Sequence, residues 1–127
     1  MVQITDLETG NYWKHMGMTT VPAADGKIQV VMKVTENLKQ FYGNVHGGVI
    51  AGLLDTCIAV AQNQQLDPGQ GASTVEMKLN YLRPINDGTL RAEGKVNCYT
   101  PPHKHQKTRA FHPPMGERLL FFFYYMP

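Results

Sequence analysis

The 127-residue chain is poor in the features that mark specialised protein classes. It has no low-complexity tract and no internal repeat, which argues against a solenoid, a linker or a disordered array. No apolar run reaches the length of a membrane span, so no membrane is expected as a partner. Cysteine occurs twice, at Cys57 and Cys98, too seldom for a disulfide framework, and both are expected as reduced thiols. Twelve basic residues face ten acidic ones without forming a Lys/Arg stripe, so no nucleic acid is expected either. The opening MVQITDLETG lacks the basic-then-apolar pattern of a secretory leader, and the expected location is the cytoplasm. At this length the expectation is a single domain over residues 1–127 with one core.

What is present is a set of short alternating patterns around one helix. Residues 3–14 read as a short helix or turn anchored by Trp13. Two strand-like runs then flank Ala-Asp-Gly, a hairpin signal. Gly47 to about Gln64 reads as the only long helix, and LDPGQG (66–71) as a loop. In STVEMKLNYLRP, Val75, Met77, Leu79 and Tyr81 alternate with Glu76, Lys78 and Asn80, which predicts a half-buried strand ended by Pro84. NDG turns the chain into a returning strand at TLRAEGKVNCY. Proline pairs in PPHKHQKTRAFHPP oppose regular pairing, so residues 101–114 are expected to be the least regular part of the sheet. GERLLFFFYY closes the chain as an apolar strand. One helix with a stripe to bury against one sheet predicts an α+β protein.

The chemistry concentrates in YGNVHGGVIAGLLDTCIAV (42–60). At about 100° per residue, Val49, Ile50, Leu53, Leu54, Cys57, Ile58 and Ala61 share one broad face, which belongs to the core. The opposite face holds Gly48, Ala51, Gly52, Asp55 and Ala59, four small residues around one acid, which invites a close approach. A buried, unpaired carboxylate is costly, so Asp55 is either compensated or used. At the helix start, bare glycine amides and the positive end of the helix dipole could cradle developing negative charge, or Gly47-Gly48 could be only a tight turn. Eight residues separate Gly47 from Asp55, ~12 Å along one axis. Both cannot reach one carbonyl carbon within a chain, so a site using both requires a second copy.

These residues resemble the hotdog-fold acyl-CoA thioesterases, specifically the branch that includes the phenylacetate-pathway and 4-hydroxybenzoyl-CoA enzymes. The resemblance rests on G-N-V-H-G-G (43–48), Asp55 nine positions after His46, and T-V-E-M-K-L-N-Y-L-R-P (74–84), and spans about residues 35–96. It implies an antiparallel β-sheet wrapped around one long central α-helix, working as a homodimer or homotetramer with sites shared between chains. It implies hydrolysis of a small aryl- or acyl-CoA to the acid and free coenzyme A, with no metal and no cofactor beyond the coenzyme A of the substrate. Asp55 matches the catalytic acid, as nucleophile or as general base. Gly47, with Gly48 beside it, matches the oxyanion amide, and His46 the histidine that orders this loop and the thioester. Gln40 stands where the family places Asn or Gln to bind carbonyl or water. The hydroxyl that orients the attacking water is Thr74, counted back from Tyr81, or Ser73, counted forward from Asp55, with Thr74 preferred. Asn44, Tyr81 and Arg83 are the expected substrate contacts. After about Val96 the chain departs from the family pattern, in a region that often helps to build the coenzyme A site.

Other residues support weaker readings. His103, His105 and His112 with Cys98 have no recognised zinc spacing, and solvated loop histidines are the expectation. Arg83, Arg91, Lys104 and Lys107 could pair with phosphates or be surface charge. A hotdog protein that holds an acyl-CoA, or only its own dimer, without turnover is the alternative to an enzyme.

Overall fold

The computed structural model describes residues 4–21, 23–24, 27–74, 76–96, 106–112 and 117–123. Two short helices, α1 (Ile4–Leu7) and α2 (Asn11–Met16), precede strands β1 (Met18–Val21) and β2 (Ile28–Lys33). A single 3-10 turn (Glu36–Leu38) leads to the long helix α3 (Gly47–Asn63), followed by β3 (Thr89–Val96), β4 (Gln106–His112) and β5 (Glu117–Phe123). The five strands form one antiparallel sheet in chain order, and α3 packs across β2 and β3. This is an α+β hotdog fold.

Period-two patterning explains the central pair. Ile28, Val30 and Met32 of β2 are buried, as are Leu90, Ala92 and Gly94 of β3. Antiparallel register sets Ile28 against Gly94, Val30 against Ala92 and Met32 against Leu90, so one continuous apolar face meets the helix. The other face is polar and paired. Gln29 donates to Glu93 and accepts from Arg91, both at 2.9 Å, and Lys27 pairs with Glu93 at 2.9 Å. Burial opposes the charge of Glu93, but the bonds from Lys27 and Gln29 and the lysine charge together hold it below the usual carboxylate range.

α3 buries Leu53, Leu54, Cys57, Ile58 and Ala61 as its stripe requires, while Val49 and Ile50 are half-buried. Thr56, Val60 and Gln62 are also buried, so the covered surface widens beyond one stripe toward the C-terminal half. Gly94 allows the close approach of sheet and helix: a Cβ there would lie 3.1 Å from the Cys57 carbonyl oxygen and 3.2 Å from its sulfur. Burial pushes the Cys57 thiol up to about 12, and it is a packing residue. Cys98 lies outside the described residues.

Three expectations are corrected. Residues 76–83 keep the predicted alternation in part, with Met77 and Leu79 half-buried against the core and Glu76, Lys78 and Asn80 exposed. Yet they join no ladder among the described residues, and Tyr81 is exposed. Second, β3 does not return along this segment. It pairs with β2 and β4, because β2 offers the matching apolar face. Third, the proline-flanked stretch contains a regular strand. β4 carries no proline over residues 106–112, pairs throughout with β5, and at residues 108–111 is paired on both sides. Pro101, Pro102, Pro113 and Pro114 lie outside the described residues, so the irregularity expected there falls outside them too.

Candidate active site

The site residues gather at the N-terminus and at the middle of α3. At its N-terminus His46 is the N-cap, its backbone extended and its Nδ1 accepting the Gly48 N–H at 2.9 Å. An acceptor Nδ1 leaves the proton of a neutral ring on Nε2, and that side chain is exposed. The His46 carbonyl takes the Val49 N–H at 2.9 Å, and the His46 N–H donates to Leu38 at 2.9 Å. The cap bond involves Gly48, expected beside the oxyanion amide of Gly47. The Gly48 amide is spent on the cap, whereas the Gly47 N–H finds no acceptor among the described residues.

Around Gly47 lies an open cleft of about 280 Å³. Gln40, Asn44, Gly47, Tyr81 and Arg83, five of the predicted site residues, line it together with apolar Ile50, Leu82 and Ile85. The turn that presents Gln40 is closed on itself: Gln40 N–H donates to Asn44 at 2.7 Å, Gly43 N–H donates to Gln40 at 2.9 Å, and the Gln40 side-chain oxygen accepts from Tyr42 N–H. That leaves the amide nitrogen of Gln40 as its donor end. Tyr81 donates from its phenol to the Gly47 carbonyl at 3.0 Å, so it fixes the peptide at the helix start.

Asp55 and Thr74 do not line this cleft. They meet two turns along the helix, where Thr74 Oγ1 donates to Asp55 Oδ1 at 2.6 Å. Asp55 is half-buried. Thr74 and the adjacent Ser73 are both exposed, and of the two only Thr74 bonds to the acid among the described residues. The predicted residues therefore fall into two groups, a helix-start cleft and an acid with its hydroxyl partner, ~12 Å apart along α3.

Sequence reasoning missed Tyr12 of α2. Its hydroxyl oxygen sits 2.0 Å from where a Gly52 Cβ would be, so the phenol rests on the glycine backbone beside the acid. Burial, and then the Asp55 charge, raise the Tyr12 phenol above its ordinary pKa. Only the cluster of small residues on that face hinted at such an approach. Among the described residues no three His, Cys, Asp or Glu side chains converge on a metal position. His103, His105 and Cys98 lie outside those residues, and His112 ends β4.

Residues 42–99 match the thioesterase superfamily. Solved structures superpose along nearly the whole chain. A thioesterase from Haemophilus influenzae has a TM-score of 0.83 at 18% identity, covering 99% of this chain and 92% of its own. The PaaI protein of the Escherichia coli phenylacetic acid degradation operon has a TM-score of 0.76 at 24% identity, covering 94% and 87%. Among curated relatives, the proofreading thioesterase EntH of Klebsiella pneumoniae is 28% identical over 79 residues, 62% of this chain and 58% of its own. The chain spans little more than half the length of the curated relatives it matches. The superpositions show the hotdog fold, and within it residues 42–99 are similar to the thioesterase superfamily.

Proposed function

We propose that this chain hydrolyses a small aryl- or acyl-CoA thioester to the carboxylic acid and free coenzyme A, with each site assembled from two copies. The observation that carries this reading is the division of one helix face into a bare amide at Gly47 and a hydroxyl-held acid at Asp55. A thioester carbonyl seated at one copy's Gly47 would gain an N–H donor and the positive end of α3 for the oxyanion that forms on attack. Asp55 of the other copy supplies the base. It takes a proton from water as the water oxygen bonds to the carbonyl carbon, and collapse of the tetrahedral intermediate expels the thiolate. In the nucleophilic variant the carboxylate itself bonds to that carbon, the C–S bond breaks to release the coenzyme A thiolate, and water then cleaves the resulting mixed anhydride to the acid and free Asp55. Thr74 occupies Oδ1 in either case, which orients the carboxylate and leaves Oδ2 for water or substrate. Gln40 and Asn44 supply polar contacts beside the carbonyl, and Arg83 a cation at the cleft for the nucleotide phosphates. No step calls on a metal.

A panel of aryl- and acyl-CoA substrates with a thiol-release dye tests the proposal. Turnover that vanishes in Asp55→Asn supports it. Coenzyme A binding without turnover of any substrate overturns it in favour of a non-catalytic acyl-CoA carrier.

A further inference from the structure

Tyr12 has no part in the reaction as written, yet its placement is tightly determined. α2 is under two turns long and is fixed by Trp13, which is buried in the core, and by Gly17, whose left-handed backbone (φ 67°) closes the helix with bonds to Lys14 and Trp13. Adjacent helical residues point ~100° apart, so sinking Trp13 into the core turns Tyr12 toward the neighbouring face of α3. There the phenol meets Gly52. A Cβ at that position would lie 2.0 Å from the hydroxyl oxygen and 3.2 Å from Cζ, so no other residue at 52 is compatible with this rotamer. Glycine inside a helix is unfavourable relative to alanine. Its presence in the middle of α3 fits a requirement for the phenol at that spot.

Gly52 precedes Asp55 by three residues, on the same face and ~4.5 Å closer to the helix start. The phenol therefore covers the strip of helix between a chain's own Asp55 and its own Gly47. Thr74 holds the acid at 2.6 Å, and the Tyr12 phenol lies one helical turn before it, its pKa raised by burial first and by the Asp55 charge second. Tyr12 is nonetheless 48% exposed, as a wall facing a binding site would be and a core residue would not.

We propose that Tyr12 is the specificity-determining residue that closes the acyl end of the site, limiting how far an acyl group can extend over Gly52 past Asp55. The proposal rests on the reading of Asp55 as the acid of a thioester site. It predicts a preference for short or compact acyl groups. Removing the ring opens a groove the size of a phenol along the helix, room for several methylenes.

The test compares wild type, Tyr12→Phe and Tyr12→Ala on straight-chain acyl-CoAs from two to ten carbons and on benzoyl-CoA. In Tyr12→Ala the ratio of kcat/KM for octanoyl- over butanoyl-CoA should rise ~10-fold or more, since a single methylene in a fitted pocket is worth about that much. Tyr12→Phe keeps the wall and should retain the wild-type ratio. The same ranking read as Kd for non-hydrolysable acyl-CoA thioethers separates the wall from the chemistry. If Asp55→Asn stays active, the catalytic reading falls while the length ranking still decides Tyr12. An unchanged ranking in folded Tyr12→Ala, or no thioether binding by wild type, overturns the wall.

Discussion

Two inactive variants should restore each other. Asp55→Ala removes the carboxylate that accepts from Thr74. Gly47→Val acts at the other end of α3, where a Cβ would already touch the Tyr81 ring at 3.5 Å. The two further methyl groups of valine must displace the phenol that holds the Gly47 carbonyl and must crowd the amide. Losing one oxyanion donor typically costs ~100-fold or more, so each parent should retain about 1% of activity or less. Refolded together in equal amounts, chains that pair at random give about half mixed dimers, and each mixed dimer holds one whole site of two. About a quarter of wild-type activity should therefore return, some 25-fold above either parent. The geometry leaves little latitude, because ~12 Å of helix separates the two groups within a chain and Tyr12 covers Gly52 between them. The assay is thiol release from a good substrate, with mixed dimers counted by native mass spectrometry. Confirmed mixed dimers without rescue would falsify the shared site.

Thr74→Val keeps the shape of the side chain but removes the donor to Asp55. Loss of the bond that orients the carboxylate should lower kcat ~10-fold or more, while the melting temperature barely moves because Thr74 is exposed. His46→Ala removes the side-chain cap of α3 and should destabilise the chain by ~1 kcal/mol in urea denaturation. If its stability matches wild type, the cap contributes nothing. Glu93 has a depressed folded pKa, so its stabilisation is present above the unfolded pKa and is lost as pH falls through the folded one. Wild type should exceed Glu93→Gln in stability at pH 7, with the gap closing below about pH 4; a gap independent of pH would show that the charge on Glu93 is immaterial.

The parts of the fold legible in the sequence are those decided by local periodicity. Ile28, Val30 and Met32 alternate, the α3 stripe repeats at helical spacing, and both patterns appear in the burial of these elements. Pairing partners were not legible, because choosing β2 over residues 74–83 as the neighbour of β3 depends on which distant apolar face fits. The hydroxyl at the acid shows the same limit. Strict alternation gives Ser73 the parity of Met77 and Leu79, yet Thr74 bonds to Asp55. No ladder is described along this segment, so nothing enforces period two between Thr74 and Met77. The cap that Gly48 completes is local geometry that HGG alone leaves open, and Tyr12 was missed because nothing near it in sequence refers to Gly52.

Two missing side chains place α3 between close contacts on different sides. At Gly94 the sheet approaches until a Cβ would lie 3.1 Å from the Cys57 carbonyl oxygen, a backbone atom that cannot swing aside. At Gly52 the obstacle is the end of a flexible phenol, which can. The two contacts should therefore respond differently to the same substitution. Gly94→Ala must shift helix or strand, and cost stability on the scale of overpacking, about 1–3 kcal/mol. Gly52→Ala can expel Tyr12 and gain helix propensity, so its effect belongs to the site rather than to the fold. Asp55 lies between these contacts, three residues after one glycine and two before the cysteine that packs on the other. A carboxylate set on a helix held against the sheet at Gly94, with one oxygen bound by Thr74, has little freedom left to lose when a substrate arrives.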